Sequence, residues 1–353
     1  MELLHHGGRL RQAASQYGIA ESDWLDLSTG VSPWHYPIPA IPASAWNRLP
    51  EDDDGLMTVA RRYYLGANLN GTQLDSLAVA GSQAVIQALP QVLSAITSTI
   101  ARPDVQACVL LPDVGYKEHE RAWRKANWHI EYYHNTPTMA QIERCKVLLV
   151  INPNNPTGQL HSPAELEQWL TLVAANGGTL VIDEAFLDAT PEHSLLPVCP
   201  VELTESLVVL RSIGKFYGLA GIRAGFVFAN KTVITGLQDT LGPWCMNGPA
   251  REICKLALAD IQWQDMQRQR LQQMSACLVE ILTHCFSSVE YTLEGTLLFQ
   301  TVYVENAIAR YEELCRQGVL VRLTDEQDGL RFGLPANNRE CSRLRLALTQ
   351  PQT

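Results

Sequence analysis

The chain has 353 residues, 46% of them hydrophobic, and a formal net charge of −10; that length accommodates two domains with a substantial core. No apolar run approaches the roughly 20 residues of a membrane span, and the acidic balance argues against nucleic-acid binding, which depends on Lys and Arg neutralising phosphates. Nine cysteines without a Cys-x-x-Cys spacing argue for reduced thiols and against a disulfide framework or a metal site, and with no basic-apolar export signal a cytoplasmic location is expected.

In chain order, the opening His6-Gly7-Gly8-Arg9 precedes an amphipathic helical stretch and Asp26-Leu-Ser28; Arg48-Leu49-Pro50-Glu51 then leads into the solvated acidic loop ending at Asp54. The apolar run Leu77-Ala-Val-Ala80 predicts a strand, Gly81-Ser82-Gln83 a strand-to-helix turn, and Ala84-Val-Ile-Gln-Ala-Leu89 the start of a helix. Such a turn offers backbone N–H groups, a hydroxyl and an amide to an anion. Further strands are expected near 106–111, 129–133, 147–151, 179–183, 206–210 and 225–229. Their alternation with helical patterns predicts an α/β fold with a mostly parallel sheet covered by helices.

Three segments at predicted strand ends carry chemistry. Asn152-Pro-Asn-Asn155-Pro-Thr-Gly158 is a Pro-rich loop, Thr179-Leu-Val-Ile-Asp183-Glu-Ala-Phe186 ends a strand in a carboxylate, and Ser212-Ile-Gly-Lys215 places a lysine among small residues, with Arg223 eight positions later. A lysine buried at such a strand end sheds its charge readily and condenses with an aldehyde. After Pro249 the pattern turns helical to about residue 285, where the polar run 262–273 suggests an exposed long helix. Residues 296–304 read as one strand, followed by helix, strand and helix. This gives a large domain over 46–248 and a small α+β domain over 249–353, joined by the segment 1–45. Arg322, in Val319-Leu-Val-Arg322-Leu323, and Arg331, in Leu330-Arg331-Phe-Gly-Leu334, interrupt apolar strands of the small domain.

The order of these parts, from about Gly81 to Arg331, resembles the fold-type I, aspartate-aminotransferase-like enzymes that use pyridoxal 5'-phosphate (PLP). The resemblance implies that Lys215 is the catalytic lysine and that Asp183 keeps the pyridine nitrogen protonated. It gives Asn155 to the phenolic oxygen, Gly81, Ser82, Gln83, Ser212 and Arg223 to the phosphate, and Tyr116 to the ring face. His119, three positions after Tyr116, supports Asp183. Phe186 stands where many aminotransferases have tyrosine, and Leu49 stands where relatives have a tyrosine that reaches the phosphate from a neighbouring subunit. A homodimer is implied, without that one contact.

The substrate reading rests on both ends of the chain. His6-Gly7-Gly8, Asp183-Glu-Ala-Phe186 and Lys215-Phe-Tyr217 resemble the branch of this family that decarboxylates L-threonine O-3-phosphate in cobalamin biosynthesis. That likeness implies that His6, Gly7, Asn155, Arg322 and Arg331 contact a small phosphorylated amino-acid substrate. One arginine would take the carboxylate and the other the phosphate, in either order. Pro335 departs from the pattern, which has a second arginine there. The alternative is a histidinol-phosphate or related amino-acid aminotransferase with the same cofactor; a PLP-binding protein without turnover is disfavoured by the intact set Lys215, Asp183, Asn155 and Arg223.

Overall fold

The computed structural model describes residues 7–98 and 107–349. Its strands are β1 (Leu25–Asp26), β2 (Asp75–Val79), β3 (Cys108–Pro112), β4 (His129–Tyr133), β5 (Val147–Ile151), β6 (Thr179–Asp183), β7 (Leu207–Ser212), β8 (Gly225–Ala229), β9 (Tyr291–Thr296), β10 (Phe299–Val304), β11 (Val319–Leu320), β12 (Arg322–Leu323) and β13 (Gly329–Gly333). Seven of them form one sheet in the order β2-β8-β7-β6-β5-β3-β4. β7, β6, β5, β3 and β4 are mutually parallel, and β8 runs antiparallel to both its neighbours.

Central strands β5, β7 and β8 are buried at every residue, which is why their sequences run apolar without alternation: helices cover both faces. Successive side chains still part to opposite faces. Leu148, Val150, Leu180, Ile182, Leu207 and Val209 enter one core, while Val147, Leu149, Val181, Val208 and Leu210 enter the other. At the carboxyl ends this parity sends Asp183 and Ser212 toward the second face and Arg211 toward the first.

A second sheet, in the order β12-β13-β10-β9, is antiparallel throughout. The single strand read over 296–304 is corrected to a hairpin: Thr296 pairs with Phe299 across Leu297-Leu298. That turn is apolar and Leu298 is fully buried, so the Gly or Asn that usually marks a two-residue turn is missing. The helical stretch after Pro249 is two helices, Gly248–Ala259 and Ile261–Phe286, divided at Asp260, whose carboxylate caps the second by accepting from Trp263 N at 2.9 Å. The long helix expected to be exposed over 262–273 does show Gln262, Asp265, Met266, Gln269, Arg270, Gln272 and Gln273 to solvent, but its other face packs inward. Trp263, Gln264, Gln267 and Leu271 of that run are buried.

The N-terminal segment ties the two sheets together. β1 pairs in parallel with β11, and Gly333 N donates to Leu27 O at 2.7 Å. Further on, Ser32 N donates to Lys215 O at 2.9 Å and Tyr36 N to Tyr217 O at 2.8 Å. The backbone around Lys215 is thereby held from the side opposite its own sheet.

Candidate active site

A cavity opens at the carboxyl ends of β5, β6 and β7, where ligands of open α/β sheets bind. It is lined by Gly7, Thr29, Gly30, Gly81, Ser82, Gln83, Tyr116, Ile151, Asn155, Asp183, Ala185, Phe186, Ser212, Lys215, Arg223, Arg322 and Arg331. Every residue singled out above for cofactor or substrate is on this wall except His6, which lies outside the described residues. Among the described residues, the grouping Cys108, His129 and Glu131 offers donors of the kind that hold metals, but β3 and β4 begin at Cys108 and His129, at the opposite end of the sheet.

Lys215 sits 5.0 Å from the centroid of the Phe186 ring. Burial, and then the charges of Arg331 and Arg322, push its ammonium down to about 8, with Asp183 opposing them. The loop is held by Gln267 from the long helix Ile261–Phe286, whose amide donates to Phe216 O at 2.9 Å and to Ser32 Oγ at 2.7 Å. Nothing in the Gln-rich sequence of that helix marks Gln267 as different from its neighbours.

Asp183 is buried, with Oδ2 2.8 Å from His119 Nε2 and Oδ1 accepting from Ala185 N at 3.0 Å. A carboxylate so fixed has one face left to meet a protonated ring nitrogen. Tyr116 covers the adjoining wall; its hydroxyl donates to Gln83 Oε1 at 3.1 Å, and burial with the Glu118 charge pushes the phenol up to about 12. Gln83 in turn donates to Glu118 Oε2 at 3.0 Å. Its side-chain amide is therefore engaged away from any phosphate, and the backbone N–H is what Gln83 has to offer.

The helix Ser82–Ser98 starts at the cavity wall, which directs unpaired N–H groups and the positive end of the helix dipole into it. Arg223 lies over this turn: a Cβ on Gly81 would stand 2.9 Å from Arg223 Nη2. Gly81 also has φ +78°, a backbone conformation that strains any other residue, and a side chain there would push the Arg223 guanidinium aside. With Ser212 on the same wall, the turn forms a cup of N–H donors, hydroxyls and one guanidinium.

Across the cavity stand the two arginines of the small sheet. They are register partners on β12 and β13, so their charges face the same side, an arrangement that is unfavourable until an anion lies between or before them. Arg331 is buried; it donates to Asn155 Oδ1 at 2.6 Å and to Ser28 O at 2.9 Å, and its Nε has no partner. Burial and the neighbouring Arg322 depress its guanidinium below the usual range. Arg322 donates to Asp325 Oδ2 at 3.1 Å, and its Nε is likewise buried without a partner. Buried donors left open in this way are what a bound carboxylate or phosphate satisfies.

The N-terminal segment closes the site. A Cβ on Gly7 would collide with the Ser28 carbonyl, the group that accepts from Arg331, and Gly8 N donates to Ser28 Oγ at 2.8 Å. Ser28 itself is held by Asp26 Oδ1, at 2.9 Å from its N and 2.6 Å from its Oγ. Gly30 leaves room for Phe186, whose Cε1 would be 2.6 Å from a Cβ there. Thr29, Gly30, Ile151 and Ala185 carry no role in the sequence reading: Thr29 and Gly30 come just after Asp26-Leu-Ser28, Ile151 ends a predicted strand, and Ala185 lies within the Asp183 motif. Leu49 is 63% exposed, and neither it nor Pro335 lines the cavity.

These residues fit PLP: an amine of depressed pKa, a fixed buried carboxylate and a cationic helix-start cup surround one cavity. The family model for aminotransferase class I and II matches residues 68–347. The chain is 42% identical to a threonine-phosphate decarboxylase of Pseudomonas aeruginosa, over 98% of this chain and 97% of the relative. It is 33% identical to a threonine-phosphate decarboxylase of a Sinorhizobium species, over 98% and 97%. The crystal structure of L-threonine-O-3-phosphate decarboxylase from Porphyromonas gingivalis superposes with a TM-score of 0.71 at 18% identity, over 91% of this chain and 97% of that one, a likeness of fold. The chain belongs to the aminotransferase class I and II family, whose members are PLP-dependent.

Proposed function

We propose that this protein binds PLP through Lys215 and decarboxylates L-threonine O-3-phosphate to (R)-1-amino-2-propanol O-2-phosphate and CO₂, a step of cobalamin biosynthesis. The observation that carries the reading is the pair Arg322 and Arg331, adjacent on one face of the small sheet, each with an unsatisfied buried Nε, opposite one amine. That is a receptor for a small molecule with two anionic groups. Near-full-length similarity to two threonine-phosphate decarboxylases supports the same substrate.

PLP, when bound, supplies an electron sink that accepts the pair released when a bond to Cα breaks. The residues decide which bond that is. The anion contacts would select the reaction by setting the rotation about the substrate's C–N bond. Arg322 and Arg331 would grip phosphate and carboxylate from the small sheet, with Gly7 closing over them, and so would hold the substrate in the rotation that makes the carboxylate the group lost. Energy from the phosphate contact, remote from the bond that breaks, is thus used to favour loss of CO₂ over loss of a proton. Asp183, held by His119, keeps positive charge at the ring nitrogen. Lys215, whose amine has a pKa near the working range, delivers the proton that replaces CO₂ at Cα. The carboxylate leaves without its electron pair and one proton is taken up, so no amino acceptor is consumed.

The test is to incubate PLP-loaded protein with L-threonine O-3-phosphate in the absence of any keto acid. Equal yields of CO₂ and aminopropanol phosphate are expected. If neither forms, while histidinol phosphate with 2-oxoglutarate gives glutamate, the protein is an aminotransferase and the substrate assignment is overturned.

A further inference from the structure

We infer that Cys277 and Cys341 form an oxidation site, a dithiol that hydrogen peroxide converts to an intramolecular disulfide. All nine cysteines are present as free thiols, yet these two, 64 residues apart in sequence, have their Sγ atoms 3.6 Å apart. They join two helices that otherwise meet by packing and by the 3.8 Å ion pair of Arg345 with Glu280, Cys277 on Ile261–Phe286 and Cys341 on Asn338–Thr349. Reaching the S–S bond length of about 2.05 Å requires the two sulfurs to approach by roughly 1.5 Å.

The surroundings assign the two thiols different roles. Cys277 is half-buried and Cys341 is 6% exposed. Both open onto a surface cavity away from the active site, with Arg345 on its wall. The more accessible thiol, Cys277, is the one that meets peroxide first. Cys341 is the protected partner. Burial first, and then the neighbouring Cys277 thiol, push it up to about 12, and its other near contact is the soft Met274 Sδ at 3.5 Å.

The chemistry follows in two balanced steps. Cys277 sulfur attacks one oxygen of hydrogen peroxide, the O–O bond breaks, and Cys277 becomes a sulfenic acid with release of water. Cys341 sulfur then attacks the sulfenic sulfur and the S–O bond breaks, giving the disulfide and a second water. The two thiols lose two electrons in total, and peroxide accepts them.

The test uses the full-length, PLP-loaded protein treated with hydrogen peroxide, quenched, denatured and alkylated. Loss of two of the nine thiols, read as two fewer alkyl groups on the intact chain, and a reductant-sensitive peptide pair joining Cys277 to Cys341 are expected. Cys277→Ser and Cys341→Ser should each abolish that pair. The wild-type peptide map stands on its own should either variant fold poorly. Recovery of both residues as free thiols, as separate sulfinic acids, or bonded to other cysteines overturns the proposal.

Discussion

A lysine amine facing Arg331, Arg322 and Arg223 inside a closed wall is costly to protonate, and its pKa of about 8 against an ordinary 10.5 expresses that cost. A group whose folded pKa is depressed in this way penalises the folded state wherever the unfolded chain holds the proton and the folded chain strains to. The penalty is complete below about pH 8 and is relieved as pH rises toward 10.5. In cofactor-free protein, Lys215→Met should therefore stabilise the fold at pH 7 by up to about 3 kcal/mol, and the gain should shrink toward zero at pH 10.5. Urea denaturation of both proteins at the two pH values checks this; a pH-independent difference contradicts it. Lys215, Asp183 and Asn155 were legible in the sequence because each ends or follows an apolar strand within a short motif. Gln267 was not: its role depends on Ser32 and Phe216, distant in sequence, coming together around it.

At the level of the strands, one residue of parity separates catalysis from architecture. Ser212 points to the cavity, whereas Arg211 points into the opposite core, where it is buried against Glu184 and Asp188 and lies 4.5 Å over the Tyr64 ring. Glu184 also accepts from Ser194 Oγ at 2.8 Å, and Tyr63 OH donates to Asp188 Oδ1 at 3.2 Å. The network anchors the chain on either side of Asp183 and Ser212 from behind. Arg211→Met would leave two carboxylates buried without their cation, a loss of about 3–5 kcal/mol, to be read as a lower denaturation midpoint at pH 7. A variant as stable as wild type would remove the anchoring role. The strands were readable because buried parallel strands are continuous apolar runs. The β9–β10 hairpin was not, since its turn is itself a core element and carries none of the residues that usually punctuate a chain.

For the molecule as a whole, the described surface carries large apolar side chains where the helix Ala43–Asn47 packs on Gly248–Ala259: Trp46 is 70% exposed, Leu49 63% and Trp244 58%. Aromatic groups left in water in one region indicate a partner surface, and the account expects a second copy of the chain to cover them. Sedimentation velocity should give a dimer, and Trp46→Glu with Leu49→Glu should shift it toward monomer; a wild-type monomer at micromolar concentration contradicts this. The segment from Gly7 to Tyr36 pairs first with β11 and the end of β13 and then runs across the Lys215 loop; the sequence marks only its His6-Gly7 end for substrate contact and the rest as a join between domains. Its hydrogen bonds make it a wall of the active site. The central claim, that the anion contacts select loss of the carboxylate rather than of the Cα proton, is tested most directly by NMR of [1-¹³C]-L-threonine O-3-phosphate with the PLP-loaded protein in D₂O. The account predicts labelled CO₂ and an aminopropanol phosphate carrying one deuterium at C1. Deuterium appearing at Cα of a substrate that keeps its labelled carboxylate would contradict it.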